Sequence, residues 1–364
     1  MTEHLRLLGA PQDEDAIART AEALADGSVV AIPTDTVYGL ACRSAFAASV
    51  SRIYELKGRP SDKPLPWLIP DADSVLGFVN AVPRPATKLI DRFWPGPLTL
   101  VLGDEPHSVA LRLPDHDALR EILRRAGGPV VATSANASGQ PPATSADDVA
   151  RSFEGRVDLV LDGGTASLGR ESTIVRVFPN GRTAVLREGH LPGTLIDSTL
   201  TRTILFVCTG NTCRSPMAAA IAARDLGEAL GVPPAGLAAR GFHVSSAGIL
   251  AAPGNPASPG SIEAARRTGL SLDSHKTRQI TASMVAGSDL ILAMSYEHLT
   301  RLRQLYPDHA ARVQMLDPAG RDVSDPFGGP TEDYVACFQK LEGLVRARLP
   351  QITTLPGPDF TPKP

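Results

Sequence analysis

The chain has 364 residues, of which 43% are hydrophobic, and a formal net charge of −3. This length is more than one hydrophobic core usually serves, so we expect two domains. Charges of both signs are mixed along the chain and the net charge is small, which excludes a protein that binds nucleic acid through an overall positive charge. Only a local basic groove is compatible with this composition.

The cysteines and the N-terminus indicate the compartment. The four cysteines, Cys42, Cys208, Cys213 and Cys337, show no disulfide-framework spacing, which suits a reducing cytosol. The opening segment MTEHLRLLGAPQDED lacks the apolar core of a secretory signal. No apolar run approaches the roughly 20 residues that span a bilayer. We therefore expect a cytoplasmic protein that does not associate with membranes.

Strand and helix patterns mix irregularly up to residue 187. Apolar, β-branched runs predict strands at 28–33, 98–102, 109–113, 129–133, 157–161, 172–178 and 183–187. Amphipathic periodicity predicts helices at about 13–26, 46–57, 85–93, 116–126 and 145–153.

Cationic and hydroxyl side chains recur near the ends of these strands and helices. The candidates are Thr34 in PTDTVYGL, Lys57 and Arg59 in KGRP, Arg112 after VAL, Ser134 and Asn136 in TSAN, Ser172 in GREST, and Arg187. Each alone reads as an ordinary helix-end charge, turn former or surface residue. Strand ends are where α/β sheets bind ligands, however, and this mixture suits a polyphosphate together with a carboxylate.

The segment EGHLPGTLIDSTLTR at 188–202 has no strong period and predicts a domain boundary near residue 198. The predicted domains are therefore 1–198 and 199–364. From Thr203 onward, strand and helix alternate four times, which predicts a parallel sheet with helices on both faces.

The second half opens with the string VCTGNTCRSP at 207–216, placed between a strand and an Ala-rich helix. Backbone N–H groups in such a loop, together with the helix dipole, suit an anion. The same field predicts a lowered pKa for Cys208, whose thiolate can attack phosphorus. Arg214 can bind two phosphoryl oxygens, and Ser215 can donate to the thiolate.

The other loop residues are predicted to bind the substrate: Thr209, Gly210, Asn211, Thr212 and Cys213. Gly210 and Asn211 tolerate the positive φ that a tight cradle requires. Ser215 is also predicted to be the N-cap of the following helix, with Pro216 in its first turn. Cys213 either traps an oxidised Cys208 as a disulfide or is a small packed residue.

These residues resemble the low-molecular-weight protein tyrosine phosphatase family, with its C-x-G-N-x-C-R-S-P signature, over about 203–350. The resemblance implies a flavodoxin-like fold, no cofactor, and a phosphoprotein substrate. It also implies that Asp325, in Asp-Pro, is the general acid, which protonates the leaving group and then activates water. Cys337 lies in an amphipathic pattern and is expected in the core rather than in a redox relay.

Thr212 and Phe327 bear on the substrate. VCTGNTCRSPM and Asp325-Pro-Phe-Gly-Gly look like the bacterial protein arginine phosphatases. A threonine hydroxyl suits the polar guanidinium of phosphoarginine, and Phe327 can wall the pocket. Phosphoarginine is favoured; phosphotyrosine is the alternative.

The motifs of the first half, taken in order over about 10–190, resemble the YrdC family of threonylcarbamoyl-AMP synthases. The resemblance implies a twisted mixed sheet and a reaction of L-threonine, bicarbonate and ATP with Mg²⁺. No residue is expected to ligate a metal directly. It assigns Thr34, Arg112 and Ser172 to threonine. It assigns the ATP phosphates or the adenylate to Lys57, Arg59, Ser134, Asn136 and Arg187.

The resemblance also implies tRNA, or the complex that transfers threonylcarbamoyl to tRNA, as partner. The chain departs from the family pattern at Leu68, Pro142 and Glu188. The alternative is therefore a catalytically inert, RNA-binding YrdC module. A further alternative is that the fusion of the two domains only tethers a processing enzyme to its regulator, with no shared chemistry.

Overall fold

The computed structural model describes residues 1–9, 12–60 and 62–356. It divides into two compact units, the first covering Met1–Leu200 and the second beginning at Thr201. The segment read as an irregular boundary contains a helix, Gly193–Thr199, which packs through Ile196 into the core of the first unit. That residue 198 lies near the boundary between two domains with different functions stays a prediction.

The first unit is built on one large sheet. Its strands are β1 (Glu3–Arg6), β2 (Val30–Ile32), β3 (Gly39–Arg43), β4 (Trp67–Leu68), β5 (Leu98–Leu102), β6 (Val109–Arg112), β7 (Val130–Ser134), β8 (Leu159–Asp162), β9 (Thr173–Val177) and β10 (Thr183–Arg187). Its helices are α1 (Glu14–Ala25), α2 (Ala47–Lys57), α3 (Arg84–Phe93), α4 (Asp117–Arg125), α5 (Ala146–Phe153) and α6 (Gly193–Thr199).

The ten strands run in the order β1-β8-β2-β3-β7-β4-β6-β5-β9-β10, with parallel and antiparallel pairs. The predicted mixed α/β sheet is therefore confirmed; the sequence patterns missed β1, β3 and β4. Side chains alternate between the faces of a strand. Accordingly Val30 and Ile32 of β2 pack in one core cluster with α1 and α4, and Ala31 packs in another with α2 and α5.

The second unit is a smaller α/β layer structure. Its elements are β11 (Arg202–Cys208), α7 (Arg214–Leu230), β12 (Phe242–Gly248), α8 (Pro259–Arg266), α9 (Ala282–Gly287), β13 (Leu290–Ala293), α10 (Tyr296–Leu305), β14 (Val313–Met315) and α11 (Thr331–Thr353). The order β12-β11-β13-β14 is parallel throughout. It confirms the predicted parallel sheet and is the strand order of flavodoxin-like folds.

Both faces of this sheet are covered. Ile204 and Phe206 of β11 pack in a cluster that includes α7 and α11, whereas Leu205 and Val207 pack in a cluster that includes α9 and α10. All four strands end at the same edge, so the segments that follow β11, β12, β13 and β14 meet there. Within the described ranges, no helix is long and apolar enough to cross a membrane.

Candidate active sites

Cys208 is the last residue of β11, and α7 begins six residues later at Arg214. The backbone between them turns through Asn211, which has a φ of 56°. This turn brings the Asn211 N–H to 3.3 Å and the Ser215 hydroxyl to 3.0 Å from the Cys208 sulfur. Gly210 was expected to share the positive φ, but only Asn211 has it, so one left-handed residue is enough to close the cradle.

Ser215 does not cap α7 as predicted. The N-cap is Cys213, and Ser215 lies inside the first turn. Its hydroxyl accepts a hydrogen bond from Asn211 Nδ2 at 2.9 Å, and its hydrogen can point at the Cys208 sulfur at 3.0 Å or at the Ala247 carbonyl at 3.3 Å. The Ser215 hydroxyl therefore contacts the Cys208 sulfur instead of capping α7.

The predicted lowering of the Cys208 pKa is wrong for this structure. Burial raises the pKa of Cys208 and outweighs the hydrogen bonds of Ser215 and Asn211 and the charge of Arg214, which lower it. Arg214 forms an ion pair with Asp325, so part of its charge is already compensated.

Arg214 is held from three sides. Its Nη1 donates to the Val323 carbonyl at 3.1 Å, and its Nη2 donates to Asp325 and, at 3.4 Å, to the Thr209 hydroxyl. Asp325 also accepts a hydrogen bond from the Phe327 N–H at 3.3 Å. The carboxylate predicted as an acid therefore lies beside the arginine of the phosphate loop.

A cavity of about 220 Å³ opens above the loop. It is lined by Cys208, Thr209, Gly210, Thr212, Cys213, Arg214, Asp325 and Phe327. The structure thus gathers residues predicted for this site from two distant segments, with Asn211 and Ser215 buried among them. Their roles stay predictions. Cys337 lies in the core, as expected.

Sequence reasoning missed the residues that hold the loop from behind. Ser246 lies 2.9 Å from Asn211 Nδ2, His275 lies 2.8 Å from the Asn211 carbonyl, and the Arg278 N–H donates to Asn211 Oδ1 at 2.8 Å. His298 contacts Thr209 at 2.9 Å. These residues lie in later segments of the chain, and no local sequence pattern indicated their contacts with the loop.

In the first unit, a cavity of about 120 Å³ lies over the centre of the sheet. Six predicted residues line it: Thr34, Arg59, Arg112, Ser134, Ser172 and Arg187. Further lining residues were not predicted, among them Thr36, Tyr38, Thr99 and Glu171. Three arginines and several hydroxyls on one cavity suit a ligand with more than one anionic group.

The arginines of this cavity are already engaged. Arg112 donates to Asp35 at 2.6 Å and to the Thr36 hydroxyl at 2.7 Å. Arg187 donates to Glu171 and to the Ser172 carbonyl, both at 2.9 Å. These carboxylates hold the guanidinium groups in place.

The hydroxyls at the cavity are held in turn. Ser172 lies 2.8 Å from the Thr99 hydroxyl. The Thr34 hydroxyl donates to the Val37 carbonyl at 2.7 Å and accepts from two N–H groups of the same turn. Arg59 donates to the carbonyls of Lys63 and Pro64 at 3.0 and 3.1 Å.

Two predicted residues lie outside this cavity. Lys57 is buried, and its ammonium donates to Asn136 Oδ1 and to the Asn136 carbonyl, both at 2.8 Å. Burial lowers the pKa of Lys57 to about 8. Asn136 lines a separate hollow of about 390 Å³, together with Pro142 and Asp148. Lys57 thus holds the loop that carries Ser134 and Asn136.

Within the described residues, no group of three or more His, Cys, Asp or Glu side chains could hold a metal ion. Glu171 lines the cavity as a carboxylate, but it is paired with Arg187. This donor set fits a cation that arrives on substrate phosphates better than one held by the protein alone.

In comparison with known proteins, the two units match different families. Residues 22–189 match the Sua5/YciO/YrdC family model, described as telomere recombination, and residues 203–354 match the model for low molecular weight phosphotyrosine protein phosphatases. Threonylcarbamoyl-AMP synthase of Bacillus subtilis (strain 168) is 41% identical over 170 residues, which are 44% of this chain and 49% of that protein. The chain thus spans about half the length of this relative.

Threonylcarbamoyl-AMP synthase of Mus musculus is 33% identical over 192 residues, covering 48% of this chain and 67% of that protein. The solved structure of the YwlE arginine phosphatase from Geobacillus stearothermophilus is 33% identical, with a TM-score of 0.37, over 42% of this chain and 94% of its own.

The fold and the two sites define an α/β protein with an arginine-lined cavity on a mixed sheet in one unit and a loop that carries Cys208 and Arg214 on a parallel sheet in the other. The chain belongs to the Sua5/YciO/YrdC family through its first unit. Its second unit is a domain of the low-molecular-weight phosphotyrosine protein phosphatase family.

Proposed function

We propose that the chain is a bifunctional enzyme. The first unit makes threonylcarbamoyl-AMP from L-threonine, bicarbonate and ATP for tRNA modification. The second unit hydrolyses phosphorylated protein side chains through a cysteinyl-phosphate intermediate. The observation that best supports the second activity is the cavity that joins Cys208, Arg214 and Asp325.

The first activity is supported by the cavity that Arg59, Arg112 and Arg187 share. Threonine carbamate is an anion that must attack an anionic α-phosphate, so cations must screen both reactants. Arg112 and the hydroxyls of Thr34 and Ser172 would face threonine. Arg59, Arg187 and Ser134 would face the ATP phosphates.

Lys57 and Asn136 would act by shaping the loop that carries Ser134, given their contacts. Mg²⁺ would enter on the phosphates of ATP, where it neutralises charge. Partnership with tRNA, or with the complex that transfers threonylcarbamoyl to it, follows from this activity.

The alternative for the first unit is an inert RNA-binding module. Leu68 lines the cavity as an apolar residue, and Pro142 lies in the neighbouring hollow. Pyrophosphate release by the full chain, with ATP, Mg²⁺ and bicarbonate, separates the two. Release that depends on threonine supports synthesis; its absence at saturating threonine favours the inert module.

In the second unit, the Cys208 thiolate would attack phosphorus, forming an S–P bond as the bond from phosphorus to the leaving nitrogen or oxygen breaks. Asp325 would give its proton to the leaving atom. The Asp325 carboxylate would then take a proton from water, which attacks phosphorus and breaks the S–P bond, releasing phosphate. Arg214 would bind the phosphoryl oxygens, and Ser215 would stabilise the departing thiolate.

Phosphoarginine is the favoured substrate, because Thr212 lines the cavity, with its hydroxyl 3.5 Å from the Cys213 sulfur. A hydroxyl there offers a polar contact to a guanidinium, whereas a phenol ring gains nothing from it. Phe327, 72% exposed at the mouth, would flank either substrate.

The substitution Thr212→Ile tests this preference. It should lower kcat/KM for a phosphoarginine peptide by roughly 10–200-fold relative to a matched phosphotyrosine peptide. Loss of both activities together would indicate a damaged loop, so Thr212→Ser, which keeps the hydroxyl, is the matched control. A wild-type chain that prefers phosphotyrosine, or an unchanged ratio in Thr212→Ile, would make the tyrosine alternative correct.

A further inference from the structure

His298 contacts the phosphate loop from the first turn of α10. It is 5% exposed, and its Nε2 lies 2.9 Å from the Thr209 hydroxyl. Its Nδ1 lies 2.8 Å from the hydroxyl of Ser295, which is the N-cap of α10 and accepts the His298 N–H at 3.3 Å. The ring is therefore clamped between two hydroxyls.

The direction of the hydrogen bond between Arg214 and Thr209 is fixed. Arg214 Nη2 lies 3.4 Å from Thr209 Oγ1, and a guanidinium can only donate. The Thr209 oxygen therefore accepts from Arg214, and either its hydrogen or its second lone pair faces His298 Nε2. Either neutral tautomer of His298 therefore forms a hydrogen bond with the Thr209 hydroxyl on one side and with the Ser295 hydroxyl on the other.

A neutral His298 ring satisfies both contacts at once. The electrostatics agree, because burial and the charge of Arg214 lower the pKa of His298, although Glu297, Asp325 and Asp322 act against them. The result is an ordered relay: Ser295 fixes the ring, the ring fixes the hydroxyl of Thr209, and that hydroxyl receives Arg214.

We infer that His298 is a positioning residue of the phosphatase site, which orients the Thr209 hydroxyl so that its lone pair holds Arg214 in place for the phosphoryl group. This inference rests on the proposed phosphatase function. His298 does not line the cavity and need not touch substrate. Its effect must therefore pass through Thr209, which does line it.

That requirement gives a sharp test by double-mutant cycle in the full chain. His298→Phe keeps a buried ring without either nitrogen, and Thr209→Val removes only the hydroxyl. Each should weaken the inhibition of aryl phosphate hydrolysis by inorganic phosphate roughly 10-fold, the size expected for losing a hydrogen bond to a charged group. The double variant should be no weaker than Thr209→Val, because the two residues act in one relay.

Arg301→Ala, an exposed change on the same helix, is the matched control and should leave phosphate inhibition unchanged. Ser295→Ala, which keeps the imidazole, is the second variant if His298→Phe does not fold; it should also weaken inhibition and lose this effect in the Thr209→Val background. Phosphate inhibition at the wild-type level in a folded His298→Phe or Ser295→Ala variant would overturn the inference. Losses that multiply in the double variant would overturn it too.

Failure of the proposed function would look different. A wild-type chain that hydrolyses no phosphorylated substrate contradicts the phosphatase. The coupling between His298 and Thr209 can then still be measured from the rise in melting temperature that bound phosphate causes. The same cycle in that readout supports or overturns the inference independently.

Discussion

Arg112 Nη2 lies 2.6 Å from Asp35 Oδ1 beneath the cavity of the first unit, with the two side chains 9% and 5% exposed. Arg112 also donates to Thr36 and, at 3.4 Å, to the Gly96 carbonyl. A guanidinium has further N–H groups beyond these three. Arg112 is thus anchored from below while it lines the cavity, an arrangement that suits a residue meeting a substrate carboxylate.

Arg112→Lys should therefore abolish threonine binding while leaving ATP binding intact. A lysine keeps a positive charge near Asp35 but lacks the fork that serves the anchor and the ligand together. Arg112→Ala is a poorer probe, since it strands Asp35 as a buried unpaired charge, at a cost of about 3–5 kcal/mol. Calorimetric titration of threonine and of ATP checks this; threonine binding near the wild-type level would contradict the role of Arg112.

Lys57 should make the stability of the first unit depend on alkaline pH. Its pKa falls from 10.5 to about 8 on folding, because burial disfavours the charged form. Between these values the unfolded chain binds more protons, so the free energy of unfolding rises with pH in this window. Lys57→Met should flatten that rise, which denaturant unfolding at pH 8 and pH 10 measures; equal slopes in the two proteins would refute it.

Local sequence was sufficient to predict that Cys208, Arg214 and Ser215 lie together, but not which residue caps α7. Cys208, Arg214 and Ser215 lie within one strand–loop–helix segment, whose geometry the intervening residues dictate. Asp325 required the family resemblance, because only the tertiary fold brings it to Arg214. The supports Ser246 and His275 come from other segments, and nothing local to them indicates a contact with Asn211.

In the first unit, the type of sheet was predictable, but the pairing of its residues was not. β4 has only two residues and no detectable period. Lys57 looked like an ATP ligand because charge suggests an anion, yet carbonyl and amide oxygens of the Asn136 loop surround its ammonium. No sequence pattern singled out the carboxylates Asp35 and Glu171. Only the fold shows that each of them pairs with an arginine of the cavity.

Ser215→Ala should raise the pKa of Cys208 further. The Ser215 hydroxyl is the first of the groups that oppose the effect of burial on this thiol. Loss of this hydrogen bond disfavours the thiolate, so the midpoint of its titration should move to higher pH. The pH dependence of iodoacetamide inactivation, protected by phosphate, measures it; Thr212→Ser is a control with no expected shift, and an unmoved midpoint in Ser215→Ala would exclude this contribution.

Asp325→Asn should slow poor leaving groups far more than good ones, because only poor ones need a proton. Phenyl phosphate should lose roughly 10²–10⁴-fold in kcat/KM, the usual contribution of acid–base catalysis, and a strongly activated aryl phosphate much less. The substitution also breaks the ion pair with Arg214, so phosphate inhibition is the control for intact anion binding. Equal losses on both substrates would argue against Asp325 as the acid.

Both proposed activities can be measured on one preparation of the full chain. Threonine-dependent pyrophosphate release and aryl phosphate hydrolysis should both occur in the wild type. Cys208→Ser should abolish only hydrolysis, since a serine hydroxyl is far less acidic and a weaker nucleophile than a cysteine thiol, and Arg112→Lys should abolish only pyrophosphate release. A wild-type chain that lacks either activity, or a Cys208→Ser variant that still hydrolyses the aryl phosphate at the wild-type rate, would contradict the bifunctional enzyme.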